Sequence, residues 1–317
     1  MATVQQPLSA PASSAGAGGL RSSAKWARRA PLLPALIFMV VITQLPFVAT
    51  LVISTLDWNA LRPGEREFAF LENYVTVFTD DALRAAVFNT VLITSGVVLI
   101  SLVLGLVIAL LLDRAFRGRG FVRTLMIAPF LVVPIAAALL WKHALFNPDY
   151  GLFNGLLNFL FGSVLGMADP PQVEWISAAP KWAVIGALVW QWTPFMMLIL
   201  LAGLQGQPRD IIDAAKVDGA SSSQLFRYMT LPHLRRYLEL GLLLGSIYIV
   251  QNFDAVFTLT SGGLGTANLP YAVYNTFFNG NEYGEASAAG VVVVIGSIII
   301  GTFALRVVLN LLKEEGR

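Results

Sequence analysis

Six stretches of this chain are apolar for long enough to cross a bilayer as helix, and nothing else in the sequence limits the fold so strongly. They run over about 32–56, 89–112, 121–141, 182–204, 237–259 and 286–312, against the roughly 20 residues that a spanning helix needs. The composition agrees, with 56% hydrophobic and only 13% charged residues, where a soluble domain carries roughly a quarter charged. One large core does not account for so little charge, because a soluble surface still needs it. A bilayer removes that need, since lipid-facing side chains must be apolar. The expected fold class is an all-α membrane protein with six transmembrane helices.

Residues 1–29 are rich in Ala, Ser and Gly and read as a disordered cytoplasmic tail. The run that follows is too long for the h-region of a cleaved signal peptide, about 7–15 residues, and reads as an uncleaved first span. Basic residues set the orientation. They concentrate in the tail, in the 113–123 loop (Arg114, Arg117, Arg119, Arg123), in the 205–236 loop and at the C-terminal end. Only Arg62, Arg66, Arg84, Lys142 and Lys181 fall on the opposite side. Both termini are therefore expected in the cytoplasm, which an even number of spans allows.

The chain has no cysteine, which removes disulfides and thiolate chemistry. His143 and His233 lie far apart, which argues against a histidine metal cluster. The positive charges are spread through separate loops, so nothing points to nucleic acid. The outer loop 57–87 is acidic and aromatic, with Asp57, Trp58, Glu65, Glu67, Glu72, Tyr74, Asp80 and Asp81. A second outer segment, 151–166, is apolar but too short to span. It either lies along the outer interface or packs across the end of the bundle, and the sequence leaves both open. Pro129, Pro134 and Pro194 within the spans mark either simple kinks or places where neighbouring helices or water satisfy freed backbone groups.

The longest basic loop, 207–232, reads as two short helices around a turn. Pro208 suits a first helical position, with Asp210 and Asp213 near the positive end of the dipole. Gly219 is the natural left-handed terminator, and Ser221 with Gln224 makes a capping box for the second helix. Leu231-Pro232 is expected to close that helix before the next span begins near Tyr237. The first helix gathers Ile211, Ile212, Ala214, Ala215 and Val217, small and apolar residues that let another protein come close. A compact loop with no partner is the plain alternative.

The pattern Asp213-Ala214-Ala215, then Asp218-Gly219-Ala220, with Phe226 and Leu231-Pro232 downstream, resembles the EAA loop of the inner-membrane permeases of binding-protein-dependent ABC importers. Asp213 stands where that family usually has Glu, which keeps the charge on a shorter arm. Leu71-Glu-Asn-Tyr74, Asn89-Thr90 and the stretch from Asn252 to Gly263 resemble the carbohydrate-importing branch, and Leu264 departs from it where many relatives have Pro. The stretch 137–143 is similar to permeases for sugar alcohols such as mannitol or sorbitol. The resemblance covers roughly residues 30–312. It implies a type I ABC importer permease fold, divided as a first helix and outer loop at 30–87 and a five-helix core at 88–312 that carries the coupling loop 208–232.

The resemblance also implies a mechanism. Asp213, Ala214, Ala215, Asp218, Gly219, Ala220, Phe226 and Pro232 would couple to an ATPase subunit, whose dimer closure turns the permease pair from inward- to outward-facing. The implied partners are a second homologous permease, two ATPase subunits that bind the ATP and Mg, an extracytoplasmic solute-binding protein, and membrane lipid. No catalytic residue or cofactor is expected on this chain. No lysine follows a glycine, so it has no Walker A loop of its own.

A solute path calls for polar and aromatic groups within apolar spans. Trp190, Gln191, Trp192, Thr193 and Phe195 surround Pro194 in the fourth. In the fifth, Tyr248, Gln251, Asn252 and Asp254 cluster, and helical spacing puts Tyr248, Gln251, Asn252 and Ala255 on one face. Such groups suit a sugar, with rings to stack on and amides for its hydroxyls. By motif alignment Gln191, Phe195, Tyr248 and Asn252 fall at or next to positions that contact sugar in related permeases. Aromatic anchoring at the interface and amides that bridge helices are the competing roles. Two other classes remain. A stand-alone secondary transporter would need buried ionisable groups, and only Glu239 and Asp254 lie near or within the spans. A membrane enzyme would need a catalytic cluster, and none is visible.

Overall fold

The structure, a computed structural model, describes residues 30–62, 64 and 66–314, with backbone alone for 30, 300, 301 and 303–314. The expected tail at 1–29 and Glu65 lie outside the described residues. Two compact units divide at Val52/Ile53. The first holds helix α1, Leu33–Ile53, whose apolar side chains run all round its surface as a lipid-facing span requires.

The second unit opens with an antiparallel pair, β1 (Leu56–Asp57) and β2 (Glu67–Phe68), with Leu56 opposite Phe68. Helix α2 (Glu72–Thr79) follows and explains the Leu71–Tyr74 motif. The Asn73 amide donates to the carbonyls of Ser54 and Leu56 at 2.9 and 2.8 Å, and the Tyr74 hydroxyl lies 2.6 Å from Ser54 Oγ. The motif therefore ties the outer loop together.

Helix α3 (Asp81–Asp113) and helix α8 (Pro180–Gln205) are the two long spans at the centre of the unit. Met196 of α8 packs where a Cβ on Gly105 of α3 would come within 2.8 Å of it. A Cβ on Gly245, in helix α10 (Ser222–Ile249), would lie 2.3 Å from its methyl. Small residues at that crossing let three backbones approach, which is how helices associate where lipid removes the hydrophobic drive.

Two expected spans are broken. Residues 121–141 form helix α4 (Arg119–Leu131) and helix α5 (Pro134–Leu145, its second half a π-turn), bent by 97°. Pro134 forces the residue before it out of helical space, and Val132 and Val133 are both extended with ψ of 134°. The fifth expected span divides into α10 (Ser222–Ile249) and α11 (Asp254–Thr260), bent by 55°. Among the described residues, three helices are thus each long and apolar enough to cross a membrane, or up to five if each bent pair counts as one span.

Between them lie α6 (Leu152–Val164), α7 (Trp175–Ala178) and α9 (Arg209–Val217). After α11 come α12 (Leu269–Tyr274) and α13 (Tyr283–Glu314). Helix α6 is the apolar outer segment. Asn154 anchors it, donating to the carbonyls of Pro148 and Val173 while its oxygen accepts from Trp175 Nε1 at 3.0 Å. Phe153 packs against Trp141, Phe146 and Trp175. One face of α6 thus packs on the bundle, while Leu152, Leu156 and Phe159 on the other are exposed.

Candidate functional site

The 207–232 loop folds largely as its sequence dictates. Pro208 is the N-cap of α9, one residue before the first helical position expected for it. Gly219 takes φ +87°, and the N–H groups of Gly219 and Ala220 return to the carbonyls of Lys216 and Ala215 at 3.1 and 3.0 Å. That is a Schellman closure, which only a residue without a Cβ enters cheaply. Ser221 and Gln224 form the capping box, with Ser221 N–H donating to Gln224 Oε1 at 2.8 Å.

One expectation fails here. Leu231-Pro232 does not end the second helix, which continues through Pro232 to Ile249. The preceding turn, Phe226–Thr230, is a π-turn in which Leu231 N–H reaches back to Phe226. A widened turn leaves room for a proline that cannot donate.

On α9, Ile211 and Val217 are exposed, Val217 by 88%. Asp213 pairs with Lys216 at 2.8 Å, and this hydrogen bond and charge hold its carboxyl below the ordinary carboxylate value. Ala214 is exposed and Ala215 half-buried, and Asp218 caps the C-terminal end of α9. Behind α9 lies a cleft of about 660 Å³ lined by Arg114, Arg119, Ile212, Asp213, Lys216 and Phe226 among others. The 113–119 loop therefore stands beside α9, at one end of the bundle.

The expected solute residues separate into two settings. Gln191 and Asn252 meet at a crevice of about 10 Å³, beside Pro134, Ala138 and Ala255. Gln191 is buried and donates to Val132 O at 3.1 Å, satisfying a carbonyl freed by the α4–α5 bend. It serves as a helix-bridging amide, and the crevice has room for no more than about one water. Tyr248, Gln251, Asn252 and Ala255 do not share a helical face, because the helix stops at Ile249. Asn252 instead accepts from Ala255 N–H at 3.3 Å, just ahead of the Phe253 N-cap of α11, with Asp254 in the first turn where the dipole favours a carboxylate.

The second setting is an aromatic wall. Tyr248, 57% exposed, stacks on Trp192 at 5.7 Å with an interplanar angle of 27°. Phe195 stands edge-on to Trp192 at 5.7 Å and stacks with Phe130 at 5.4 Å. Gln251 is also exposed, its amide 3.3 Å from the Ile247 carbonyl. Sequence reasoning missed Phe130, which sits at the end of α4, just before the bend whose place Pro134 marked but whose angle it did not give. Trp190 turns elsewhere, to Trp141 at 6.0 Å.

A third motif gains a role. Asn89 donates to the carbonyls of Gly265 and Ala267 at 2.9 and 2.8 Å, and Leu269 N–H donates to Thr90 Oγ1 at 2.8 Å. Asn268, beside these, donates to the Asn252 carbonyl. Helix α3 thereby holds the loop that holds the break between α10 and α11.

Residues 101–313 match the family described as the binding-protein-dependent transport system inner membrane component. The chain belongs to that family. As such a permease it is a multi-pass membrane component, and ATP hydrolysis resides in a separate subunit. The permease is 36% identical to a probable ABC transporter permease protein of Sinorhizobium fredii, over 83% of its own length and 84% of the relative's. It is 35% identical to a trehalose/maltose transport system permease protein of Thermococcus litoralis, over 83% and 87%. A trehalose transport system permease protein of Mycobacterium tuberculosis is 33% identical, over 85% and 86%. Its fold matches a chain of a bacterial ABC transporter that imports the acidic polysaccharide alginate, with TM-score 0.76 and 20% identity over 92% and 99% of the two chains.

Proposed function

We propose that this permease translocates a sugar or sugar alcohol inward across the cell membrane, as one half of a heterodimeric pore. Its six spans leave both termini in the cytoplasm, in the type I importer arrangement. A second homologous permease completes the pore. Two ATPase subunits bind ATP and Mg at the cytoplasmic face, and an extracytoplasmic binding protein delivers the solute. The trehalose and maltose named for two relatives support a sugar as cargo, and the aromatic wall supports it on chemical grounds, since a sugar ring stacks on aromatic faces.

The observation that carries the reading is α9. It is a short helix stopped by a Schellman turn, with Ile211 and Val217 exposed on it. Apolar side chains held exposed in that way suit the cleft of a partner. Asp213, Ala214, Ala215, Asp218, Gly219 and Ala220 form this docking element, while Phe226 and Pro232 lead it into the fifth span. Tyr248, Gln251 and Phe195 face the solute, and Asn252 and Asp254 shape the break beside it.

Capture of the tagged chain from mild detergent, followed by mass spectrometry, tests this. The wild-type chain brings down an ATPase and a second permease, whereas Gly219→Leu inserts in the membrane but loses the ATPase. A well-folded wild-type sample that captures no ATPase would overturn the reading.

A further inference from the structure

The base of the coupling loop is clamped from two sides by groups that the docking element itself does not contain. Helix α8 ends at Gln205, four residues before α9 begins. On one side stands Arg123 of α4. Its Nη2 donates to the Leu112 carbonyl, in the last turn of α3, at 3.1 Å. With the Gln205 amide turned to present its oxygen, as its partners require, Oε1 accepts from Nη2 at 2.8 Å and Nη1 at 3.2 Å. No described carboxylate pairs with this guanidinium. Instead the cation lies at the C-terminal ends of two helices, where the macrodipoles and free carbonyls favour positive charge.

On the other side stands His233 of α10, whose Nε2 lies 3.0 Å from the Gly203 carbonyl. Tyr237, one turn on, packs so close that a Cβ on Gly203 would fall 2.6 Å from its ring. Residues 203 and 233 bracket the whole coupling segment, so this contact closes the loop at its neck. A planar fork that reaches two helix ends at once is a bridge lysine cannot copy.

We propose that Arg123 and His233 are positioning residues that join the coupling loop to α3, α4, α8 and α10, so that force on α9 moves these helices together. The proposal rests on the docking role assigned to α9 above. Without the clamp, α9 would swing on a free neck at residues 206–208 and the spans would not follow.

The test uses the complete complex in proteoliposomes. Since the chain has no cysteine, a single Tyr248→Cys reporter on the aromatic wall reads movement of the spans through its rate of maleimide labelling. Between the nucleotide-free and vanadate-trapped states, the rate changes about tenfold in the reference chain and less than about twofold with Arg123→Ala, a span typical of coupling between sites. Trapped nucleotide stays at the reference level. Gln205→Leu gives the same loss if Arg123→Ala fails to assemble, whereas Gln205→Glu and His233→Gln, which keep the contacts, label as the reference does. Reference-like labelling in Gln205→Leu would refute the clamp while leaving the docking role intact. A Gly219→Leu chain that keeps its ATPase would remove the docking role, and the clamp with it.

Discussion

The side-chain amide of Asn268 donates to the main-chain carbonyl of Asn252, 16 residues earlier, at the break between α10 and α11. Asn268 is itself buried, and its oxygen accepts from Tyr271 N–H at 3.2 Å, so both of its functions are used within the fold. The break between α10 and α11 is therefore held from outside its own segment, by a loop that Asn89 and Thr90 fix to α3.

Asn268→Leu should cost about 1–3 kcal/mol by leaving the Asn252 carbonyl unpaired in the interior. Thermal denaturation in detergent should register this as a lower Tm. Asn89→Leu should lower it further, since two carbonyls lose their donor, and the double variant should fall short of the sum because both residues hold one loop. An unchanged Tm for Asn268→Leu would refute the account of the break.

Val217→Asp should leave thermal stability unchanged, because the side chain is 88% exposed, yet it should reduce ATPase capture well below the wild-type level. A charge in an apolar docking cleft goes unpaired. Equal capture by wild type and Val217→Asp would show that this surface does not meet the ATPase.

Ser221→Ala should loosen the second coupling helix by about 1 kcal/mol through loss of the capping box. Hydrogen exchange at the amides of residues 222–225 should quicken accordingly, with the long spans unaffected. Protection identical to wild type would mean that the π-turn and the span behind it stabilise this helix alone.

Tyr248→Ala should raise the half-saturating sugar concentration for uptake roughly fivefold, the loss of about 1 kcal/mol of aromatic contact. Gln191→Leu should act differently, lowering Tm because Val132 loses its donor. If Gln191→Leu shifted only the half-saturating concentration, Gln191 would belong to the solute surface after all.

The sequence by itself determined the solvent in which this protein folds, because runs of some 20 apolar residues leave a helix little alternative to lipid. It also determined the local fold of the 207–232 loop nearly residue by residue. Gly219, Ser221 and Gln224 act through contacts within about five positions, so their roles are legible locally. What escaped were the breaks and everything that depends on them. Whether Pro134 kinks a span or turns it by 97° depends on whether a distant group donates to the freed carbonyl of Val132, and Gln191 does so from 59 residues away. Likewise Tyr248 and Asn252 look like neighbours on one helical face until Asn268 fixes a break between α10 and α11. A span holds or breaks according to where its backbone hydrogen bonds can go in a medium without water, and only the packed tertiary structure decides that.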